Sequence, residues 1–201
     1  MENKLNGKDL ITIGIFTLFM LIVASVAPVL GLIPYMYLMR TPFVALICGP
    51  IYLLYIARVQ KPFAISVMGL ICASIMGLLC FGSFPMFMIN MICFIFAEMI
   101  ARIGKYKDLR INSLSYLVLG FWTTGQDLAF WYMKDFMLEY SKQAGMDNNW
   151  LEKTLSLVTT GNLIIVLVTT FICSCLSVLF ANKLLKKHFI KSGIIMVKGD
   201  R

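Results

Sequence analysis

Six long apolar stretches, separated by short polar or basic segments, limit what this sequence can fold into. They cover residues 10–33, 41–57, 63–81, 86–103, 111–133 and 155–185. A helix that crosses a bilayer needs about 20 mainly apolar residues, and most of these stretches reach or approach that length. Only 14% of the residues are charged, against roughly 25% in soluble domains. The sequence therefore predicts an all-α polytopic membrane protein, with six transmembrane helices in a single domain over residues 1–201.

The positions of the basic residues predict how the bundle is oriented. With the N-terminus inside, inner segments hold fourteen of the 18 Lys and Arg residues, and outer segments hold only Arg40, Lys134, Lys142 and Lys153. Cytoplasmic segments of membrane proteins carry such an excess. We therefore predict cytoplasmic N- and C-termini. The same distribution accounts for the formal charge of +8 without a nucleic-acid partner, and no basic face alternates with aromatic residues.

Motifs for catalysis and metal binding are missing from the sequence. The six Cys residues all lie within apolar stretches, where free cysteine behaves as a small hydrophobe. There is one His, His188, and no H-E-x-x-H, G-x-S-x-G or Walker A pattern. We predict no catalytic residues, no metal site, no cofactor and no ATPase of its own. A small membrane enzyme is the least favoured of the alternatives, because no nucleophile–base pair is visible.

The fifth apolar stretch contains an unusually polar segment, FWTTGQDLAFWYMKD (Phe121–Asp135). In one continuous helix, Asp127, Trp131 and Asp135 would share a face because they are spaced by four. An acidic residue inside a membrane-length helix is costly, and by default it suggests a functional site.

Other polar residues fall at a similar predicted depth near the outer ends of the helices. Polar groups at one depth on several helices indicate a cavity that opens outward. In such a cavity Asp127 would bind the ligand, Trp122 and Trp131 would form its walls, and the tyrosines or the arginine would gate it. The candidate substrate-binding residues are Asp127, Trp131, Gln126, Trp122, Asn90, Asn162, Arg40, Tyr35 and Tyr37.

Structural explanations for these residues stay open. Asn90 and Asn162 could form hydrogen bonds between helices. Asp127 could pair with Arg40 or Lys134 purely for stability. The tryptophans could be anchors in the aromatic belt at the membrane surface, and the arginine could lie at the level of the headgroups.

Two further patterns concern packing and partners. Glu98 precedes Arg102 by one helical turn, in the order that favours an ion pair. Gly69, Ala73 and Gly77 are spaced by four, which lets helix backbones approach closely. This stripe could pack within the chain, or it could dock another membrane subunit.

Three segments resemble a known group of proteins. LNGKDLITIGIFT (Leu5–Thr17), WTTGQDLAFWYMKD (Trp122–Asp135) and NKLLKKHFIKSGII (Asn182–Ile195) look like stretches of the Trep_Strep, or MptD-like, bacterial integral membrane proteins. That group is regarded as substrate-binding S components of energy-coupling factor (ECF) importers. The resemblance runs over nearly the whole chain, and its most specific parts are the entry to the first helix and the C-terminal tail.

The resemblance implies a multi-pass protein of the bacterial plasma membrane. S components capture a vitamin or other micronutrient at the outer face and associate with a transmembrane T component and two ABC ATPases. Many of them present Ala-x-x-x-Ala on the first helix toward the T component. This chain departs from that pattern, since Gly14 is followed four residues later by Leu18. Gly14 and the stripe at Gly69, Ala73 and Gly77 are the candidates for partner docking.

The leading hypothesis is therefore an ECF-type S component that binds a small solute for ATP-driven uptake by its partners. The runner-up is a structural or assembly membrane protein without a small ligand, whose buried polar residues only join helices.

Overall fold

A computed structural model of the chain describes residues 5–27, 29, 33–79, 84–143, 145 and 147–185. The regular elements of that part are all helices: α1 (Gly7–Val26), α2 (Pro34–Leu38), α3 (Arg40–Arg58), α4 (Ala64–Leu79), α5 (Phe84–Ile103), α6 (Leu109–Leu119), α7 (Thr124–Tyr132), α8 (Lys134–Gln143), α9 (Asn148–Ser156) and α10 (Thr160–Leu185). Residues 80–83, which include the end of the third predicted helix, and the chain from residue 186 onward, which includes the predicted basic tail, lie outside the described residues.

The lengths and apolar character of the helices agree with a membrane protein. Within the described residues, α1, α3, α5 and α10 are the four helices long and apolar enough to cross a membrane. The α4 helix is apolar but shorter. Large side chains such as Leu18, Ile165 and Leu179 remain exposed on the outside of the bundle. The all-α membrane fold is therefore confirmed.

The fifth predicted helix differs from the expectation, because the chain over residues 111–133 forms two helices. The α6 helix ends at Gly120, which packs so closely on α10 that a Cβ there would lie 2.0 Å from Ser174 Oγ. A second interruption at Met133 separates α7 from α8. Asp135 is therefore on α8 and does not continue the face of Asp127. The sixth predicted helix, residues 155–185, begins later than predicted, as α10 at Thr160, and α9 lies mainly in the segment before it.

The first helix begins earlier than predicted because its N-terminus is capped. The Asn6 side chain accepts from the backbone N–H of Asp9, and the Asp9 carboxylate accepts from the backbone N–H of Asn6. This reciprocal capping box satisfies two N–H groups that have no partner within the helix. With this cap, α1 starts at Gly7, whereas the hydropathy pattern predicted a start at residue 10.

Packing of α3 against α10 compensates for a backbone hydrogen bond that is missing from α3 at Pro50. Pro50 has no N–H, so it cannot donate to the carbonyl of Leu46, four residues earlier. The Ser177 hydroxyl of α10 donates to that carbonyl at 2.5 Å, and its oxygen accepts the N–H of the glycine before the proline at 3.2 Å. The Tyr116 hydroxyl of α6 donates to the carbonyl of Ala45 at 2.5 Å. Side chains from two neighbouring helices thus form hydrogen bonds with the backbone groups of α3 that precede Pro50.

The small-residue stripe of α4 packs within this chain. A Cβ on Gly69 would lie 2.4 Å from the Phe94 side chain of α5, and Ala73 is fully buried. Gly77 also faces α5, with its nearest contact at Phe87. Since α5 covers this surface, the stripe packs against another helix of the same chain, which was one of its two interpretations.

Glu98 of α5 caps the N-terminus of α4 from outside that helix. Its carboxylate accepts the backbone N–H groups of Phe63 (2.9 Å), Ile65 (3.0 Å) and Ser66 (3.1 Å), together with the hydroxyl of Tyr106. The first N–H groups of a helix have no partner within it, and they favour a negative charge. Burial raises the pKa of Tyr106, and the hydrogen bond to Glu98 raises it further. The hydroxyl is therefore protonated at neutral pH and can donate to the carboxylate.

The predicted Glu98–Arg102 ion pair is absent among the described residues. The Arg102 guanidinium instead lies 5.9 Å from the centre of the Phe63 ring. The prediction was wrong because the carboxylate is engaged by the α4 backbone, a partner that spacing along α5 cannot reveal.

We expect Glu98→Ala to lower the apparent Tm of the purified protein far more than Arg102→Ala does. Glu98→Ala leaves three backbone N–H groups without an acceptor. Each such group that is buried costs about 1–3 kcal/mol of stability. The arginine change removes a ring contact worth about 0.5–1 kcal/mol. Thermal unfolding in detergent measures both, and equal effects would restore the ion-pair interpretation.

The repair of α3 can be tested by a double-mutant cycle on Ser177 and Pro50. We expect Ser177→Ala to destabilise the protein by about 1–3 kcal/mol, because the Leu46 carbonyl loses its donor. In a Pro50→Ala background the new N–H can bond that carbonyl, so the same serine change should be less harmful. Additive effects in the cycle would show that Ser177 does not compensate for the proline.

Candidate functional site

A buried ion pair joins α3 to α7. Arg40, the first residue of α3, donates from Nε (2.9 Å) and Nη2 (2.7 Å) to Oδ1 of Asp127. The residues are only 3% and 1% exposed. Arg40 is one of the two partners that the sequence suggested for Asp127. The other, Lys134, is exposed at the start of α8.

Two threonines complete the surroundings of the carboxylate. Thr41 donates from Oγ1 to Oδ2 of Asp127 at 2.6 Å, and Thr123 lies 3.3 Å from the Thr41 hydroxyl. Both carboxylate oxygens are therefore hydrogen-bonded, and the charge is balanced by Arg40. Such a buried pair is sensitive to loss of one partner, because the remaining charge would stay in a low-dielectric interior.

Aromatic rings cover the ion pair. The Arg40 guanidinium lies 4.0 Å from the centre of the Tyr37 ring, which is a cation–π contact. The Tyr37 ring meets Phe130 edge-on at 5.1 Å and Trp150 at 5.4 Å. The α2 and α9 helices thus close over the ends of α3 and α7.

A second group of polar atoms lies where α5 packs on the segment before α7. Asn90 and Trp122 are fully buried, and the Trp122 ring meets Phe94 edge-on at 5.9 Å. In the described part of the chain, neither polar atom of the Asn90 amide has a hydrogen-bond partner, and Trp122 Nε1 has none either. Buried polar atoms without partners are uncommon in proteins. In the same described part of the chain, six other buried polar atoms lack a partner: Arg40 Nη1, Tyr55 Oη, Asn112 Oδ1, Thr124 Oγ1, Ser141 Oγ and Thr154 Oγ1.

A third set of contacts holds the link between α9 and α10. Trp131 donates from Nε1 to the carbonyl of Thr159 at 3.0 Å. Asn162 donates from Nδ2 to the carbonyl of Leu157 at 2.7 Å. These bonds satisfy carbonyls near the end of α9, so both side chains have a local structural use.

The structure therefore divides the nine candidate residues into separate groups. Arg40, Asp127 and Tyr37 form one cluster, whereas Asn90 and Trp122 belong to the α5 contact. Trp131 and Asn162 hold the α9–α10 link, Gln126 is half-buried on α7, and Tyr35 is 72% exposed. They do not form one continuous set of ligand contacts.

The sequence analysis missed four residues that complete these clusters. Thr41 follows Arg40 directly, and Thr123 precedes Asp127 by four, so a search for hydroxyls beside a buried charge would have found both. Phe94 and Phe130 carried no such signal, because phenylalanine is common throughout the apolar stretches.

The polar groups of these clusters can form hydrogen bonds. Within the described residues, no group of three or more His, Cys, Asp or Glu side chains is placed to hold a metal ion. The polar groups are a neutralised ion pair, two threonine hydroxyls, an amide and an indole N–H. They can hold helices together or donate hydrogen bonds to a small molecule.

Apolar helices of membrane-spanning length, with a buried Arg40–Asp127 pair whose charges balance, are typical of an integral membrane protein. The chain belongs to the Trep_Strep family of hypothetical bacterial integral membrane proteins, whose sequence profile matches residues 7–191. Comparisons with curated proteins and with solved structures gave no match.

We expect Asp127→Ala and Arg40→Met each to lower stability sharply, by about 3–5 kcal/mol, because each leaves a buried charge unpaired. The double variant Arg40→Met/Asp127→Leu should recover most of that loss, since it removes both charges. Thermal unfolding of all three in detergent gives the comparison. A double variant as unstable as the sum of the singles would contradict this account of the pair.

Proposed function

We propose that this protein is the substrate-binding S component of an ECF-type importer in the bacterial plasma membrane. It binds a small micronutrient at the outer face, and a T component with ABC ATPases drives uptake. In this proposal the chain crosses the membrane six times, α6 with α7 forms the fifth crossing, and both termini are cytoplasmic. The resemblance of its terminal segments and of Trp122–Asp135 to such proteins supports the assignment.

The observation that carries the proposal is the unsatisfied amide of Asn90 in the interior. Neither its nitrogen nor its oxygen has a partner among the described residues. A buried polar group without a partner costs about 1–3 kcal/mol. A bound solute that forms hydrogen bonds with this amide would remove that cost, which supports a binding role.

The two ends of the bundle support the direction of capture. At one end Lys61 of the α3–α4 turn lies 2.6 Å from Asp9. The same end holds Glu98 and the basic segments that the sequence assigns to the cytoplasm. The Arg40–Asp127 pair lies at the opposite end, at the start of α3. Asn90 lies in the half of α5 away from Glu98, so the proposed binding site is on the side assigned to the outer face.

In this proposal Asp127 positions α7 against α3, because both of its oxygens already accept hydrogen bonds from Arg40 and Thr41. Direct contact with the solute falls to Asn90 and Trp122.

For docking of the T component, the open face of α1 is the better candidate. A Cβ on Gly14 would meet no described atom within 4 Å, and the surrounding side chains are exposed. The stripe at Gly69, Ala73 and Gly77 is covered by α5 instead.

A structural or assembly protein remains the second candidate function. It is favoured by the complete internal satisfaction of Asp127, and by Trp131 and Asn162 bonding to the α9–α10 link. In that case no solute binds, and the clusters only fix helices to one another.

Affinity purification of the tagged protein from its native host in mild detergent separates these functions. We expect a T subunit and ATPases to co-purify, and Gly14→Leu to reduce their recovery by crowding the α1 face. Gly161→Leu is the matched control, because a Cβ there also meets open space but lies on α10. Recovery of neither subunit with the wild-type protein would contradict the importer assignment.

A further inference from the structure

One carboxylate holds two turns together at the end of the bundle that the sequence assigns to the cytoplasm. Glu98 accepts the backbone N–H of Phe63, in the turn between α3 and α4 (residues 59–63). It also accepts the hydroxyl of Tyr106, in the turn between α5 and α6 (residues 104–108). The exposed side chains of the two turns therefore belong to one surface.

Strained backbone collects in these two turns. Among the described residues, the non-glycine residues with positive φ are Phe63 (65°), Lys105 (50°) and Tyr106 (61°). A residue with a Cβ rarely adopts this left-handed region, and residues held there cluster at ligand clamps and switch regions. Because all three lie in these turns, the surface is a candidate for a binding role.

The surface is positively charged. It exposes four cations within nine residues: Arg102, Lys105, Lys107 and Arg110. In the described part of the chain, none of the four forms an ion pair. The nearby acids are engaged, since Glu98 caps α4 and Asp108 accepts the backbone N–H of Arg110 at 2.9 Å. An anionic partner therefore fits this surface.

An exposed apolar face of α5 runs up to these cations. Ile95, Met99 and Ile103 are spaced by four and are 43%, 58% and 77% exposed. Phe63 is 59% exposed, and the Arg102 guanidinium lies 5.9 Å from the centre of its ring. In a membrane such a face contacts acyl chains, and cations at its end reach the level of the headgroups.

These two properties together select the partner. A soluble anion or an acidic protein segment would match the cations, but it would leave the apolar face of α5 unused. An anionic phospholipid matches both, because its phosphate and its acyl chains are joined in one molecule.

We infer that this surface is a binding site for an anionic phospholipid. The headgroup phosphate lies among Arg102, Lys105, Lys107 and Arg110, and an acyl chain follows Met99 and Ile103 along α5. Glu98 positions the two turns and does not contact the lipid. Such a lipid site would exist whether or not the chain binds a solute.

The test is native mass spectrometry of the full-length protein in dodecyl maltoside, titrated with dioleoylphosphatidylglycerol or with the zwitterionic dioleoylphosphatidylcholine. We expect the wild-type protein to bind phosphatidylglycerol at least about tenfold more tightly. The turn variant Lys105→Gln/Lys107→Gln/Arg110→Gln should lose most of this preference, since each Lys or Arg near anionic headgroups strengthens binding about fivefold.

The matched control carries the same change in charge at the other end of the bundle. Lys134→Gln/Lys142→Gln/Lys153→Gln replaces three exposed lysines of α8 and α9. We expect this control to bind phosphatidylglycerol as the wild type does. Thermal unfolding without added lipid should give the wild-type Tm for both variants, because all six replaced side chains are exposed.

A competition experiment separates a lipid from a free anion. Soluble glycerophosphoglycerol, the headgroup without acyl chains, should displace the lipid only at concentrations at least about tenfold higher, because it cannot use the apolar face of α5. Equal potency of the soluble headgroup would show a general anion site and would overturn the inference.

Other results would also overturn it. They are equal binding of the two lipids by the wild type, undiminished phosphatidylglycerol binding by the turn variant, and the same loss in the control. A turn variant that keeps its lipid but loses proteins that co-purify with the wild type would assign the surface to an acidic protein partner instead.

Discussion

A bundle that lies in a bilayer has no water in its interior, so each buried polar group must find a partner within the protein. That requirement explains the main contacts of this structure. The carbonyl freed by Pro50 is bonded by Ser177, and the first N–H groups of α4 are bonded by Glu98. Arg40 is buried only because Asp127 is within reach. Each of these contacts joins two helices that are distant in sequence, so satisfying polar groups also determines how the helices pack.

The helical membrane fold could be predicted from sequence because hydropathy is a property of long windows. The breaks inside those windows could not. α6 ends before Gly120, inside the fifth apolar stretch, and α7 ends before Met133, the last residue of that stretch. Neither boundary changes the hydropathy of the stretch. The pairing of Glu98 failed for a related reason. Spacing along one helix identifies Arg102 as a neighbour, but the competing donors are backbone groups of another helix.

For the candidate site, the sequence predicted how deep each residue lies but not the direction in which its side chain points. Position along a helix placed Asn90, Asp127 and Asn162 at similar depth, and it offered Arg40 as a partner for the acid. It could not give the rotation of each helix, which decides what a side chain meets. Consequently three residues of similar predicted depth have different surroundings. Asp127 pairs with Arg40, Asn162 bonds to a neighbouring carbonyl, and the Asn90 amide has no described partner.

That difference between satisfied and unsatisfied groups is what separates the two functions considered for this chain. Polar residues that only join helices gain stability by bonding to each other, as Asp127 does with Arg40 and Thr41. The Asn90 amide gains nothing in this way, and an apolar residue of similar size would be more stable in its place. Its burial without a described partner is unfavourable, and under the proposed function a bound solute would supply the missing hydrogen bonds. The ion pair accounts for how this end of the bundle is held, and the unpaired amide is the observation on which the proposal of a bound solute depends.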